Sequence, residues 1–171
     1  MVAIACMRTA ILLALAFGVA NGIAKGWVKF GWAYKVFDSN LPYDQAEAKC
    51  VAEGGHLASI HSHEENEFIS AITKTDKVSE NQNYTDFVWI GLRQKNWPKD
   101  KKWTWTDGTP VDYLNWAPAE PDNKWNSEHC VEIFNTPKLT LPNSEWKKWN
   151  DYGCHIKMKY FVCKKKFVEG I

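Results

Sequence analysis

The chain has 171 residues, with 21 basic against 20 acidic side chains and a formal net charge of +1. A balance so near zero gives no general attraction to nucleic acid or to an anionic membrane. The length suits one domain with its own core, and no repeat, low-complexity tract or linker interrupts it.

The amino terminus reads "MVAIACMRTAILLALAFGVANG". One cation, Arg8, precedes an apolar run from Ala10 to Ala20 and small residues near Gly22, the layout of a cleaved secretory signal over residues 1–22. An uncleaved anchor is the alternative, but the run falls short of the ~20 apolar residues that span a bilayer. The expectation is a secreted, extracellular protein without membrane insertion. Cleavage removes Cys6 and leaves four cysteines, an even number that fits two disulfides in an oxidising compartment. Three pairings are open to four cysteines, and spacing alone does not separate them.

"WVKFGWAYKVF", Trp27 to Phe37, is aromatic and branched with interspersed lysine, which predicts one or two short strands. Pro42 then opens a helix whose Ala46, Cys50 and Val51 share an apolar face, and Gly54 with Gly55 ends it. "HLASIHS" is a brief extended piece. Ser62 and Glu65 fit a capping box, and Phe68, Ile69 and Ile72 give a second helix its apolar face. Asn83-Tyr84-Thr85 is an N-glycosylation acceptor in a polar, turn-like stretch. "FVWIGL", Phe87 to Leu92, has the unbroken apolar pattern of a buried strand, and Trp103 and Trp105 alternate before an Asp107-Gly108 turn. Between Pro110 and Trp149 periodicity is largely lost apart from "CVEIF", and "KYFVCKKK" alternates into a closing strand. A long irregular excursion in a compact domain tends to carry function.

That excursion holds the oxygen donors. Glu120, Asp122 and Glu128 fall within "AEPDNKWNSEHC", and Asn150 with Asp151 follows in "WND". Clustered carboxylates repel unless solvent separates them or a cation neutralises them. Calcium suits such a set because it takes 6–8 hard oxygens, whereas magnesium prefers a tight octahedron and retains its waters. An ordinary acidic surface loop is the plain alternative. A bridge between Cys130 and Cys154 would bring the two halves together.

Cys50 on its helix, "WIGL", the Glu-Pro-Asp tripeptide, Glu128 two residues before a cysteine, "WND" and a final "FVC" together resemble a C-type lectin-like domain. The resemblance covers residues 27–164, after which 165–171 is a short tail. It implies an α+β fold of two helices with antiparallel sheets and a long disulfide-closed loop. It also implies disulfides Cys50–Cys163 and Cys130–Cys154, without the extra amino-terminal pair of the family's long form. One Ca2+ would be held by Glu120, Asp122, Glu128, Asn150 and Asp151, and two neighbouring sugar hydroxyls would complete its shell against the same five residues. Pro121 is expected to be cis in the ion-bound state. The tripeptide departs from the usual Glu-Pro-Asn and Gln-Pro-Asp forms, so the mannose-versus-galactose rule does not apply. Trp125 is a candidate to stack on a sugar face, with loop packing as its alternative. A second ion position looks lost, because Asn123, His129 and the Arg93-Gln94 pair stand where ligands are expected.

Other chemistry fits poorly. His56, His61 and His63 raise the thought of zinc, but in "HEENE" Glu67 occupies the place of the second metalloprotease histidine. No phosphate loop is present, the cysteines are committed to disulfides, and charge-compensated ion ligands make a poor glycosidase acid. No enzyme is expected. The predicted function is calcium-dependent binding of glycans on glycoproteins or cell surfaces. The rival is a calcium-independent module for a protein, lipid or mineral or ice surface. No heptad neck is present, so any multivalency rests on non-covalent association or on repeats in the ligand.

Overall fold

The computed structural model describes residues 26–74, 87–135 and 146–168. The proposed signal and Asn83 lie outside these residues. In chain order the elements are β1 (Gly26–Lys29), β2 (Trp32–Leu41), α1 (Tyr43–Ala52), β3 (His56–Leu57), α2 (His63–Thr73), β4 (Val88–Arg93) and β5 (Thr104–Trp105), followed by β6 (Cys130–Ile133), β7 (Trp149–Tyr152) and β8 (Met158–Lys166). A 3-10 turn, Lys124–Asn126, lies within the long excursion. The two helices and strand-rich remainder are the expected α+β class.

The strands form one sheet in the order β1-β2-β8-β4-β6-β7, with β3 on β8 and β5 on β4. The last strand therefore lies in the middle, antiparallel to β2 from Trp32↔Lys166 to Leu41↔Met158. Its other neighbour, β4, runs parallel to it, pairing Val88 with Tyr160 and Trp89 with Phe161. The other pairings between these strands are antiparallel, and an isolated parallel bridge joins Trp116 to Trp149. The sheet is thus mixed, which local sequence pattern does not reveal.

Both faces of the sheet centre are covered. Val88, Ile90 and Leu92 enter one core with Tyr34, Ile69, Trp105 and Trp149. The intervening Trp89 enters a second core with Tyr43, Ala46, Phe161 and the Cys50–Cys163 bridge. A strand buried on both faces reads as a continuous apolar run, which explains "FVWIGL". Gly91 is required there: a Cβ would stand 2.5 Å from the Leu57 carbonyl oxygen.

Helix α1 buries Tyr43, Ala46 and Cys50, whereas Val51 is 53% exposed. The helical face is narrower than predicted, because 100° of rotation past Cys50 carries Val51 off the contact line. The capping box at α2 is half right. Ser62 Oγ accepts the Glu65 N–H at 3.1 Å, but the Glu65 carboxylate accepts the His61 N–H at 2.8 Å and the Tyr34 hydroxyl at 2.6 Å. It also pairs with Lys164 at 2.6 Å, both side chains being nearly inaccessible. Of the expected apolar face, Ile69 is fully buried, and Phe68 and Ile72 pack partly buried against the core.

Cys50 is bonded to Cys163 and Cys130 to Cys154, at sequence separations of 113 and 24. The first ties α1 to β8. The second fastens the base of β6 just beyond β7.

Candidate functional site

Two kinds of backbone meet at the site. Strand β7 is held on both sides: Val131, Glu132 and Ile133 pair with Asp151, Asn150 and Trp149. Trp149 also exchanges hydrogen bonds with the excursion, donating to the Asn115 carbonyl at 2.9 Å and accepting from the Ala117 N–H at 2.8 Å. Beyond Ala117 the chain leaves the sheet. Ala119, Asn123, Trp125 and Asn126 all have positive φ, a succession of tight reversals that no periodic pattern signals. The Glu120–Pro121 peptide is cis.

Side-chain carboxylates do much of the work that a ladder would do elsewhere. Asp151, fully buried, accepts the N–H groups of Asp122 at 3.0 Å and Asn123 at 2.9 Å, one on each oxygen. Glu120 accepts the Asp122 N–H at 3.1 Å, and Glu128 accepts that of Lys124 at the same distance. Asn123 Oδ1 in turn receives the Glu128 N–H at 3.2 Å. The loop is threaded on its own acids.

Glu120, Asp122 and Asp151 each offer an oxygen within 4.8 Å of the others, the one such acidic or metal-ligating group among the described residues. Glu128, 8% exposed, and Asn150, 6% exposed, line the same cleft as Glu120 and Asp122. Its volume is about 490 Å3. Four of the five predicted donors therefore line one cleft, and the fifth, Asp151, lies buried within 4.8 Å of Glu120 and Asp122.

The electrostatics record the crowding. Glu120 titrates near 7, raised first by burial and then by the charges of Asp122 and Asp151. Glu128 also rises to about 7, chiefly through burial, against the pull of the Lys124 N–H and with Asp122 adding to the rise. Burial raises Asp151 too, offset in part by the two backbone N–H groups it accepts. Groups that resist ionisation for want of a compensating charge are the ones a cation would relieve. The donors are all hard oxygens, so they fit calcium.

One contributor escaped the sequence reading. Glu132, fully buried on β6, receives the Asn150 Nδ2 hydrogen bond at 2.9 Å. With its nitrogen engaged there, Asn150 has its oxygen left for the cleft. The available signal was alternation, since Glu132 stands two residues after Cys130 and opposite Asn150. Phe134, Tyr152, His155 and Ile156 also line the cleft unannounced.

Trp125 is 83% exposed, with only Lys124 Nζ over its ring at 5.0 Å. It is not a packing residue of the loop. The positions of the expected missing ion are otherwise occupied: Arg93 pairs with Asp44 at 2.7 Å, and His129 stacks on Trp97 with centroids 4.6 Å apart. His56 and His61 face Glu47 and Asp112 singly, at 2.6 and 2.7 Å, and converge on no shared ligand set.

The model of the Lectin C-type domain matches residues 39–165. Rat (Rattus norvegicus) versican core protein is 37% identical over 142 residues, covering 82% of this chain; the chain spans only 4% of that relative. C-type lectin CRL of Crotalus ruber ruber is 37% identical over 150 residues, covering 86% of this chain and all of the relative. Among solved structures, the cow C-type carbohydrate-recognition domain of CD23, crystallised with a GlcNAc2Man3 oligosaccharide, superposes with TM-score 0.65 at 28% identity, over 87% of this chain and 99% of that one. A calcium-independent type II antifreeze protein does so with TM-score 0.63 at 31% identity, over 86% and 96%. None of these comparisons indicates a catalytic family, and no helix among the described residues is long and apolar enough to cross a membrane. With the family model spanning most of the chain and the CRL similarity spanning that whole lectin, the chain belongs to the C-type lectin domain family.

Proposed function

We propose that this protein is a secreted, calcium-dependent carbohydrate-binding lectin, with residues 1–22 a cleaved signal, 27–164 the binding domain and Asn83 a glycosylation site. The observation that carries the reading is that Glu120, Asp122, Glu128 and Asn150 line one cleft and that Asp151 lies within 4.8 Å of the first two, with carboxylates whose ionisation is opposed by burial and mutual repulsion. These five residues would hold a single Ca2+, which when bound supplies open coordination positions for two neighbouring sugar hydroxyls. The protein's own part is to accept hydrogen bonds from those hydroxyls. Both flanking residues of Pro121 are acids, so the sugar must donate on both sides. Trp125 stands exposed where an apolar sugar face can lie against it. Extracellular calcium modules bind with Kd of ~10⁻⁴–10⁻³ M, which matches an extracellular location. The match to the CD23 domain crystallised with an oligosaccharide supports this reading by analogy.

The test is retention on immobilised sugars in millimolar calcium, with release by chelator, followed by a glycan array with and without calcium. Failure of chelator to release bound protein, or absence of calcium uptake by calorimetry, refutes it.

One observation favours a second reading. Direct hydrogen bonds from Asp122 and Asn123 to Asp151 close the loop by themselves, and the similar antifreeze protein is calcium-independent. A module recognising a protein or a mineral or ice surface would bind its partner equally well in chelator.

A further inference from the structure

At the β1 edge of the sheet, far in strand order from the β7 edge that bears the cleft, a different surface is exposed. Seven large apolar side chains stand exposed among the described residues, and four of them, Val28, Phe30, Phe167 and Val168, belong to this one end. The Phe167 N–H bonds to the Gly31 carbonyl at 3.0 Å, which brings the end of β8 against the hairpin tip. Val28, Phe167 and Val168 line a shallow cleft of about 510 Å3.

The tip itself is unusual. Phe30 and Gly31 make a two-residue turn with φ of 56° and 77°, a conformation that ordinarily selects Asn-Gly. A bulky aromatic in the left-handed region is sterically disfavoured, and such residues concentrate where a function requires them. Phe68 meets the Phe30 ring edge-on at 6.1 Å, yet Phe30 remains 51% exposed.

Among the described residues the charge at this end is one-sided, although the net charge of the chain is near neutral. Lys29 and Lys166 have no carboxylate partner among the described residues, and Lys165 gives its ammonium to the Glu53 carbonyl at 3.0 Å. The Glu53 carboxylate is taken by Lys35 at 2.8 Å and Lys49 at 3.6 Å.

We infer that the β1–β2 tip and the end of β8 form a peripheral docking surface for anionic phospholipid membranes. A second copy is disfavoured as occupant, because a two-fold pairing sets the same lysines against each other. A soluble polyanion would satisfy the lysines but leave four apolar side chains in water. An anionic bilayer satisfies both at once, taking the apolar tip into the headgroup boundary while the lysines meet lipid charge. The opposite edge would then present the sugar cleft outward, although the lipid site does not depend on it.

The test is co-sedimentation of the purified chain with phosphatidylserine–phosphatidylcholine vesicles and with phosphatidylcholine alone. Chelator is present throughout, so that neither the loop acids nor calcium bridging contributes. Binding is expected to the anionic vesicles only and to weaken with salt. Each lysine near an anionic surface contributes about five-fold, so Lys29→Gln/Lys165→Gln/Lys166→Gln should lose about 10²-fold. Phe30→Ser/Val168→Ser, with far-UV dichroism and the thermal melt as controls for folding, should lose at least ten-fold on vesicles while retention on heparin stays constant. The inference is overturned by equal binding to neutral vesicles, by no binding, by an apolar double variant that binds vesicles as the parent does, or by sedimentation showing a dimer that the Phe30 change dissociates. Sugar retention in calcium, measured separately, reports on the cleft and is expected to survive both sets of changes.

Discussion

Acidification should move the protein's stability in opposite directions with and without calcium. Glu120 and Glu128 both titrate near 7 in the ion-free chain, against about 4.3 for an unperturbed glutamate. The folded state thus holds protons that the unfolded chain releases, so the contribution of these two groups to ion-free stability is greatest below the ordinary glutamate range and is lost as pH rises through 7. Calcium demands the deprotonated forms, so its affinity follows the reverse course. Between about pH 8 and about pH 5.5 the ionised fraction of a group titrating near 7 drops by ~30-fold, giving an upper limit of ~10³ for two independent sites. Glu120 is partly open to solvent, and screening of its repulsion brings the expected loss of calcium affinity nearer ~10². Calorimetric titration across this range measures the affinity, and thermal melts in chelator and in millimolar calcium measure stability. The chelated Tm should decline with rising pH while the calcium-loaded Tm climbs. A calcium affinity flat to within about three-fold, or a chelated Tm that rises with pH, would refute the argument.

Three further outcomes follow from named contacts. Asn150→Asp turns the buried 2.9 Å amide contact with Glu132 into a carboxylate pair, costing about 2–4 kcal/mol and abolishing calcium-dependent sugar retention; a variant that binds and melts like the parent counts against the role given to Glu132. Cys130→Ser/Cys154→Ser opens a loop of 24 residues, with a chain-entropy loss of about 3.4 kcal/mol visible in urea titration. A loss under about 1 kcal/mol would mean the loop is already constrained by its other bonds. Lys164→Met leaves buried Glu65 with only the Tyr34 and His61 donors, for about 3 kcal/mol or roughly 6–12 °C in Tm. Adding Glu65→Gln should restore part of that, and calcium affinity should stay unchanged in both.

Local pattern carried the helices and the buried strand, because each depends on near neighbours in sequence, whereas the five oxygen donors come from two distant segments whose grouping was implied by the family resemblance. Cys50 lies a helical turn from Ala46, and "FVWIGL" declares burial by composition alone. What escaped depends on distant partners. Lys164 looks like one of three solvated lysines in "CKKK", yet β2 and β3 pair on either side of it and its ammonium meets the Ser59 carbonyl and the Glu65 carboxylate of α2. Glu132 reads as the polar side of an alternating strand, whereas β7 and the excursion cover that side and give it Asn150. The disulfide pairing became legible only through family resemblance, since four cysteines carry no pairing information of their own.

The arrangement of the excursion explains why an ion-binding loop can hang on so rigid a frame. Up to Ala117 the backbone is tied to β7 by main-chain hydrogen bonds, and after Cys130 it is in the sheet again. Between those limits, several of its N–H groups are answered by Asp151, Glu120 and Glu128. These are the same oxygens that a cation would claim. Strengthening the loop by replacing acids with neutral acceptors would lower the repulsion among them, but would also remove the charge that attracts calcium. Removing the loop's hydrogen bonds would free the oxygens, but would leave backbone donors unpaired. The compromise is a loop that holds its shape at the expense of raised carboxylate pKa values, with the two disulfides and the aromatic core carrying global stability elsewhere. Changes confined to residues 120–128 should therefore alter ligand binding far more than they alter the melting of the sheet.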